Sequence, residues 1–325
     1  MSPMMSQEKM RSPAVVDGCA PLLSKPGAWE GWAAGGVDLA LPTVATHEGP
    51  DDAIPRVREW KRWAEGDRRR FLVTSPADLA ALGDGRFGIG FHFQNTTPLG
   101  EDLELLADFH RLGVRMIQLT YNHRNPVGDG CLDAEDQGLT RFGKDLIREM
   151  NRLGTVIDLS HTGTRTTLEA IECSAHPTVF SHSNVRRLFD HPRNISDQQI
   201  RAVAERGGLV GANAVSAFLR TDGVGANLSD LIDHIDYLAE MIGPDRVCLG
   251  LDFWSDAPVD YSEWTAAGRW IADDPSRQVN WPEGICGPGH IPRIAHQLRS
   301  RGYSPEEIAG IMGINWVRLF RTVWN

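Results

Sequence analysis

The sequence predicts an α/β protein whose fold is a closed (β/α)8, or TIM, barrel. A predicted strand is followed by a predicted helix about eight times along the chain, without a break in composition. The predicted strands are short apolar runs rich in β-branched residues, which is typical of parallel strands buried on both faces. An open, doubly wound sheet is the competing architecture, but its usual nucleotide-binding pattern, G-x-G-x-x-G, is absent.

The first half of the chain begins this alternation. Short apolar runs predict strands at residues 14–17, 37–44, 71–74, 87–94 and 114–120. Helices are predicted between them, at residues 54–66, 76–82 and 100–112. Gly113 follows the third helix and is expected to end it, because glycine readily adopts the left-handed conformation needed there.

The second half continues the same rhythm. Thr140 is expected to cap an amphipathic helix that stops at Gly154, and Ser196 is expected to cap a helix running to residue 206. Strands are predicted at residues 155–160, 178–181, 209–212 and 247–252. Further helices are predicted at residues 228–242 and near 290–301, 304–312 and 313–323.

The domain organisation predicted from the sequence is simple. Residues 1–13 are polar, contain two prolines and are expected to be disordered. Residues 14–325 are expected to form a single barrel domain. Residues 253–289 are rich in Trp, Gly, Pro and Asp and show little periodicity, so an irregular, functional loop is expected there.

Composition excludes several classes of protein. The formal net charge of -10 gives no electrostatic footprint for nucleic acid or anionic lipid. No apolar run is long enough to span a membrane, and residues 1–18 lack the apolar core of a secretory signal. The five cysteines have no regular spacing and are expected to be reduced thiols. We therefore expect a cytoplasmic protein that acts on a small molecule, and a homodimer is compatible with this expectation.

One strand–helix–strand unit, residues 155–186, is the most informative stretch. Its two apolar runs end in His161 and His182, and Thr164 is expected to cap the helix between them. Because the carboxyl ends of parallel barrel strands share one face, both imidazoles are expected side by side at the barrel rim. Two neutral imidazoles brought together suit a divalent transition metal. The alternative is that each is only a hydrogen-bonded histidine at a strand end.

Other strand ends carry polar side chains too. The remaining strand-end candidates are Gln94, Tyr121, Asn122 and Asp252. Asp252 ends the apolar strand in VCLGLDFWSD, where a carboxylate near a metal would be a natural general acid or base. Alternatively, Asp252 caps a turn or pairs with an arginine.

Four further polar residues lie near these strands in the sequence. Arg193 precedes a predicted helix and could bind a substrate carboxylate by two parallel hydrogen bonds, although an isolated arginine is more often a surface ion pair. Asp158 is an odd number of residues from His161, so alternation predicts that it faces the helix layer. Ser181 and Ser183 flank His182 but lack the base and orienting acid that a nucleophilic serine needs.

Several segments together resemble a known family. These segments are GLTRFGKDLIREMNRLGTVIDLSH, FSHSNVRRLFDHPRNISD, GLDFWSD and GINWVRLF, in this order. The chain resembles the membrane (renal-type) dipeptidases, zinc peptidases on an amidohydrolase-like barrel. The resemblance implies a binuclear zinc site that hydrolyses dipeptides and tolerates a D- or dehydro-residue at the second position. It also implies that His161 and His182 bind zinc, that Arg193 contacts the substrate carboxylate and that Asp252 is the acid/base.

The chain departs from the family at several ligand positions. The H-x-D pair of the first strand is replaced by Cys19 and Pro21, the bridging glutamate by Gln94, and the histidine after the fourth strand by Tyr121. Two zinc ions on so little negative charge would be unfavourable. We therefore expect one zinc ion, held by His161 and His182 and completed by Gln94 or water, with a site that holds no ion as the alternative.

Three functions follow from these residues. The first is a dipeptidase-like metallohydrolase that cleaves a dipeptide or small amide with a free carboxylate, with Asp252 catalytic and with Arg193, Tyr121 and Asn122 binding the substrate. The second is a repurposed barrel enzyme, a lyase or isomerase acting on a small carboxylate with little or no metal dependence. The third is a non-catalytic scaffold, which has no reason to keep these residues together.

Overall fold

The computed structural model describes residues 13–24, 27–220, 225–254, 259–260, 265–266, 278–279 and 281–324. The predicted disordered N-terminus and much of the predicted irregular loop at 253–289 lie outside the described residues. The strands are β1 (Val16–Asp17), β2 (Leu39–Ala40), β3 (Thr43–Ala45), β4 (Arg70–Leu72), β5 (Phe87–Ile89), β6 (Phe91–Phe93), β7 (Val114–Gln118), β8 (Val156–Asp158), β9 (Val179–Phe180), β10 (Leu209–Ala212), β11 (Val247–Leu249), β12 (Val259–Asp260) and β13 (Gln278–Val279). The α-helices are α1 (Trp29–Ala34), α2 (Pro50–Glu65), α3 (Pro76–Leu79), α4 (Leu103–Leu112), α5 (Arg141–Leu153), α6 (Thr164–Cys173), α7 (Asp197–Glu205), α8 (Leu228–Ile242), α9 (Pro292–Ser300), α10 (Pro305–Ala309) and α11 (Asn315–Val323).

Parallel strands form the barrel wall. One sheet has the order β11-β10-β9-β8-β7-β6-β3, and a second has the order β1-β2-β5-β4. The two sheets are continuous, because β2 leads into β3 and β5 leads into β6 with only one or two residues between them. The wall closes where Gly18 N donates to Leu249 O at 2.9 Å and Asp252 N donates to Cys19 O at 2.9 Å. The predicted (β/α)8 barrel is therefore confirmed, although β4 pairs only with β5 and lies beside the barrel.

A buried carboxylate fastens the first strand to the last. Asp17 accepts hydrogen bonds from Leu251 N at 2.9 Å and from Cys19 N at 3.3 Å. The indole nitrogen of Trp32 donates to the same carboxylate at 2.8 Å. Burial raises the pKa of Asp17 to about 6, although these three hydrogen bonds oppose the shift. This carboxylate thus fixes the backbone at Cys19 and at residues 250–252, where the barrel closes.

The amino-terminal end of the barrel is filled with apolar side chains. One buried cluster takes a side chain from each of seven strands: Val16, Leu39, Met116, Val156, Val179, Leu209 and Cys248. Trp316 and Phe320 of α11 belong to the same cluster and close this end, and the indole nitrogen of Trp316 donates to Leu249 O at 2.9 Å. A larger apolar cluster holds the helices against the outside of the wall. The barrel is therefore solid at one end, and polar groups are left to its carboxyl-terminal end.

The helix ends show which local predictions were correct. Thr140 and Ser196 cap α5 and α7 as predicted, through hydrogen bonds from Gly143 N and Gln199 N. Gly113 ends α4 with φ of 108°. Thr164 was predicted as the cap of α6, and this was wrong by one residue, because Gly163 holds the cap position and Thr164 is the first helical residue.

No helix in the described part of the chain is both long and apolar enough to cross a lipid bilayer.

Close packing at the barrel mouth gives a stability prediction. A Cβ on Gly250 would lie 1.7 Å from Ser181 O and 3.3 Å from the Cα of His182. Gly250→Ala should therefore lower the free energy of unfolding by about 1–3 kcal/mol through overpacking. Gly289→Ala is the matched control, because no atom lies within 4 Å of the added carbon. Thermal unfolding of both variants measures the difference, and equal melting temperatures would contradict this account.

Candidate metal centre

The two strand-end histidines meet at the carboxyl-terminal mouth. His161 and His182 follow β8 and β9, and both are buried. Their Nε2 atoms lie 3.0 Å apart, and their ring centroids are separated by 5.1 Å. The structure thus brings the rings together as the strand–helix–strand pattern predicted, whereas their binding of a metal remains a prediction.

Strained backbone is concentrated at this mouth. Among the described residues, the non-glycine residues with positive φ are Asn122 at 64°, His161 at 62° and Asp252 at 59°. Each such conformation costs of order 1–3 kcal/mol and persists only where its surroundings hold it. All three residues follow barrel strands, and each had been selected from the sequence as a site residue. The mouth is thus held in a geometry that the local sequence alone does not favour.

The hydrogen bond at Nδ1 fixes the tautomer of His161. Asn122 places its side-chain oxygen 2.7 Å from Nδ1 of His161. Because an amide oxygen can only accept, Nδ1 carries the proton and Nε2 carries the lone pair. Tyr121 stacks on the same imidazole, with ring centroids 4.2 Å apart and planes inclined by 23°. These two contacts orient the ring and point its lone pair towards His182.

The tautomer of His182 is fixed through a serine. Asp158 accepts the hydroxyl proton of Ser181 at 2.5 Å, and Ser181 Oγ lies 2.6 Å from Nδ1 of His182. Since the only hydroxyl proton of Ser181 is directed to the carboxylate, its oxygen accepts from Nδ1 of His182. Burial raises the pKa of Asp158, but the hydrogen bond and charge of His92 outweigh it and hold that pKa well below its ordinary value. Asp158 is therefore an ionised acceptor, and Nε2 of His182 also carries a lone pair.

Two lone pairs facing each other at 3.0 Å repel unless a cation lies between them. Burial, and then the charge of Arg193, lower the pKa of both imidazoles well below the ordinary value, so both rings are neutral at pH 7. Neutral imidazoles whose second nitrogen donates to a fixed acceptor are the usual first ligands of zinc. For tetrahedral zinc, two such nitrogens lie about 3.3 Å apart. The donor set therefore fits one zinc ion.

The direction of the Asp158 side chain differs from the prediction. Alternation from His161 predicted that Asp158 faces the helix layer, and this was wrong. Its carboxylate is fully buried in the barrel interior, 3.1 Å from Nε2 of His92 on β6, two strands away. The prediction failed because β8 ends at Asp158 and His161 has a left-handed backbone, so alternation does not extend to the histidine.

A second group of possible donors lies beside the histidines. A ring nitrogen of His182, Sγ of Cys19 and a carboxylate oxygen of Asp252 all lie within 4.8 Å of one another. Asp252 also accepts a hydrogen bond from Asn213 Nδ2 at 3.2 Å. Burial raises the pKa of Asp252 to about 7, although Arg193 and the hydrogen bonds from Cys19 and Asn213 oppose the shift. Asp252 can therefore exchange a proton near neutral pH.

Gln94 contacts Cys19 through its amide nitrogen. Its Nε2 donates to Sγ of Cys19 at 3.0 Å. The prediction that Gln94 or a water completes the metal site stays a prediction. Asn122 was predicted to bind substrate, and the structure shows its side-chain oxygen held by His161.

Arg193 is buried beside the same cavity. Arg193 is 2% exposed. Its Nη2 donates to His182 O at 3.2 Å, and its Nε has no hydrogen-bond partner among the described residues. The guanidinium also lies over the ring of Phe218, 5.2 Å from its centroid. A cavity of about 490 Å³ is lined by Arg193 and His161. An unpaired cationic donor in a cavity of this size suits an anionic group of a small molecule.

Sequence reasoning missed two parts of this site. From the sequence, Cys19 is only a departure from the family pattern, and no pattern predicts the Asp158–Ser181 relay to His182. The spacing D-x-x-H between Asp158 and His161 carries no signal for a relay that reaches the next strand. Cys19 follows the first strand, as the other site residues follow theirs, so the same strand-end argument could have selected it as a site residue.

Comparisons with known proteins agree with this architecture. A family model described as membrane dipeptidase (peptidase family M19) matches residues 51–267. An uncharacterised Klebsiella pneumoniae protein from the region 5′ of pqqA is 32% identical over 235 residues, which is 70% of this chain and 78% of that protein. An uncharacterised dipeptidase of Schizosaccharomyces pombe is 34% identical over 221 residues, which is 67% of this chain and 49% of that protein. This chain therefore spans about half the length of the yeast relative.

A solved structure resembles the whole chain. The structure of an amidohydrolase from Pseudomonas aeruginosa has a TM-score of 0.88 and 32% sequence identity, and the match covers 96% of this chain and 97% of that one. Fold and site together define a (β/α)8 barrel with a candidate metal centre at its carboxyl-terminal mouth. The chain belongs to the membrane dipeptidase family, peptidase family M19.

The serine between Asp158 and His182 gives a test of the site geometry. Ser181→Ala removes the acceptor of His182 Nδ1–H, so zinc affinity should fall by about 10–100-fold. Competition with a chromophoric chelator measures it. Ser183→Ala is the control, since this serine contacts Ser160 Oγ at 3.5 Å and neither imidazole. Equal zinc affinities for the two variants would contradict the assigned role of Ser181.

Proposed function

We propose that the protein is a metal-dependent hydrolase that cleaves a dipeptide, or a small amide with a free carboxylate, using one zinc ion held by His161 and His182. The observation that carries this proposal is the 3.0 Å approach of two Nε2 atoms whose Nδ1 atoms are both committed to acceptors. Membership of the M19 family, and the dipeptidase name of its Schizosaccharomyces pombe relative, support a hydrolase.

Zinc held by such ligands would lower the pKa of a bound water and polarise a carbonyl. The protein's own residues supply the proton transfers. Asp252 lies beside the donor group, and its pKa of about 7 lets it accept a proton from the attacking water and return it to the leaving amine. Asn213 Nδ2 donates to Oδ2 of Asp252 at 3.2 Å and the thiol of Cys19 donates to Oδ1 at 3.4 Å, so neighbouring side chains orient both oxygens of this carboxylate.

Substrate orientation falls to Arg193. Its unpartnered Nε and its position on the cavity with His161 suit a carboxylate bound by two parallel hydrogen bonds. Nη2 donates to the backbone oxygen of His182, so the guanidinium is tied to the metal side of the cavity. A carboxylate held there would place the rest of a dipeptide-sized molecule across the mouth. Tyr121, stacked on His161, is proposed as a further substrate contact.

One ion fits the charge of the site better than two. Of the three side chains in the donor group, only that of Asp252 is a carboxylate, and Gln94, which contacts Cys19, is a neutral amide. Two divalent ions with a single carboxylate would leave a large uncompensated positive charge in a buried site. We therefore propose a mononuclear centre.

Metal removal tests the proposal directly. The purified protein should contain about one zinc per chain by elemental analysis, in line with the donor set. It should hydrolyse members of a dipeptide panel, and a chelator should abolish that turnover until zinc is restored. Absence of metal together with absence of hydrolysis would refute it, and chelator-insensitive turnover of a small carboxylate would favour the lyase or isomerase alternative.

Replacing the buried arginine tests the substrate class. Arg193→Ala should raise KM for a free dipeptide by about 10–100-fold, the usual value of hydrogen bonds between charged groups. Hydrolysis of the same dipeptide with an amidated C-terminus should change little. Steady-state kinetics on both substrates measures the difference. Arg165→Ala is the control, because this residue lines the same cavity but pairs with Glu169 at 2.8 Å; an equal loss on both substrates would contradict the carboxylate role.

A further inference from the structure

We propose that the C-terminal residue of the substrate is aspartate or glutamate, and that Arg186 binds its side-chain carboxylate while Arg193 binds its α-carboxylate. This inference rests on the proposed function and names the substrate class of the same site. Arg186 lines the cavity together with Arg193 and His161, and the two arginines are called the arginine pair below.

Arg186 is held against the backbone of Arg193. Its Nε donates to Asn194 O at 3.0 Å, and its Nη2 donates to Pro192 O at 3.2 Å. These two carbonyl groups belong to the residues on either side of Arg193, so the guanidinium of Arg186 lies across that backbone. The position of Arg186 is therefore fixed relative to the segment that carries Arg193.

The charge environment of Cys131 shows that both guanidinium groups act on one part of the cavity wall. Cys131 lines this cavity, and burial raises the pKa of its thiol to about 11. The charges of Arg193 and then of Arg186 oppose that shift, because a nearby cation favours the thiolate. An anionic group bound near Cys131 would be attracted by both cations.

The arginine pair keeps hydrogen-bond donors for a ligand. Among the described residues, Nε of Arg193 and Nη1 of Arg186 have no hydrogen-bond partner, and neither arginine forms an ion pair. Arg165, the third arginine of the cavity, pairs instead with Glu169 at 2.8 Å. Two unpaired cations in one cavity repel each other, and a ligand with two carboxylates relieves that repulsion better than a ligand with one.

The acidic residues of the cavity do not neutralise the arginine pair. Asp136 accepts a hydrogen bond from the hydroxyl of Thr166 at 2.8 Å, and Oδ1 of Asp133 lies 3.2 Å from Nδ1 of His123. Asp190 is exposed and forms no ion pair with either guanidinium. Two unpaired guanidinium groups thus share the cavity with one exposed carboxylate, and this balance favours an anionic ligand.

A C-terminal aspartate or glutamate presents two carboxylates on one residue, and each can accept hydrogen bonds from one guanidinium. The apolar side chains of Leu159, Leu168 and Ile195 in the same cavity suit the methylene groups between the carboxylates. Nη2 of Arg193 donates to His182 O, so an α-carboxylate on Arg193 keeps the peptide bond on the side of the imidazoles.

Calorimetric titration of the full chain with N-acetyl-glutamate and N-acetyl-glutamine tests the arginine pair without requiring catalysis. The two ligands differ in the charge of the side-chain group and hardly in size. We expect N-acetyl-glutamate to bind more tightly by about 10-fold or more, the usual value of hydrogen bonds between charged groups. Arg186→Gln should abolish this preference. Arg187→Gln is the matched control, because this exposed neighbour does not line the cavity.

Steady-state kinetics on alanyl-glutamate and alanyl-glutamine tests the substrate class. The value of kcat/KM should be higher for alanyl-glutamate by about 10-fold or more, and Arg186→Gln should bring the ratio close to one. A role of Arg186 in holding the backbone alone would lower the rates for both dipeptides and leave their ratio unchanged. Arg186→Lys, which keeps the charge and should keep part of the preference, is the second variant should the glutamine variant fail to fold.

The outcomes separate this inference from the proposed function. Equal affinity of the wild-type protein for the two ligands, an equal kcat/KM for the two dipeptides, or a preference that persists in folded Arg186→Gln would overturn the inference. Hydrolysis of alanyl-glutamine would then leave the hydrolase proposal standing. A protein that prefers N-acetyl-glutamate but hydrolyses no dipeptide would refute the hydrolase and retain the arginine pair as a dicarboxylate site.

Discussion

The site depends on one electrostatic constraint, the approach of two imidazole nitrogens whose lone pairs face each other at 3.0 Å. Neither ring can turn its proton inward, because Asn122 holds Nδ1–H of His161 and Ser181 holds Nδ1–H of His182. A cation shared by the two nitrogens would relieve the repulsion between these lone pairs. The surrounding barrel, from the relay through Asp158 to the stacked Tyr121, serves to keep this arrangement in place.

Strain and stability are divided between the two ends of the barrel. The amino-terminal end is a dense apolar cluster closed by Trp316, which supplies hydrophobic stabilisation. The carboxyl-terminal end contains the left-handed residues Asn122, His161 and Asp252 and a buried, incompletely hydrogen-bonded Arg193. A solid end of this kind can support a mouth whose geometry is unfavourable by itself, which is how a fold can hold a preorganised site.

The sequence predicted the architecture because each strand and helix carries its own local signal. Apolar runs located the strands, and Thr140 and Ser196 located helix starts through hydrogen bonds made within one turn. His161, His182 and Asp252 could be selected because barrel strands present their ends on a common face. Asp158 could not, since its direction depends on where β8 stops. Cys19 meets Gln94 and Asp252 only through barrel closure, which no local pattern encodes.

We propose that the imidazoles of His161 and His182 share one ion. Anomalous diffraction at the zinc absorption edge from zinc-soaked crystals tests it most directly. The account predicts a single peak within about 2.0–2.1 Å of Nε2 of both His161 and His182. Zinc-soaked crystals in which the rings keep their approach without an anomalous peak between them, or in which the peak lies against one ring alone, would contradict it.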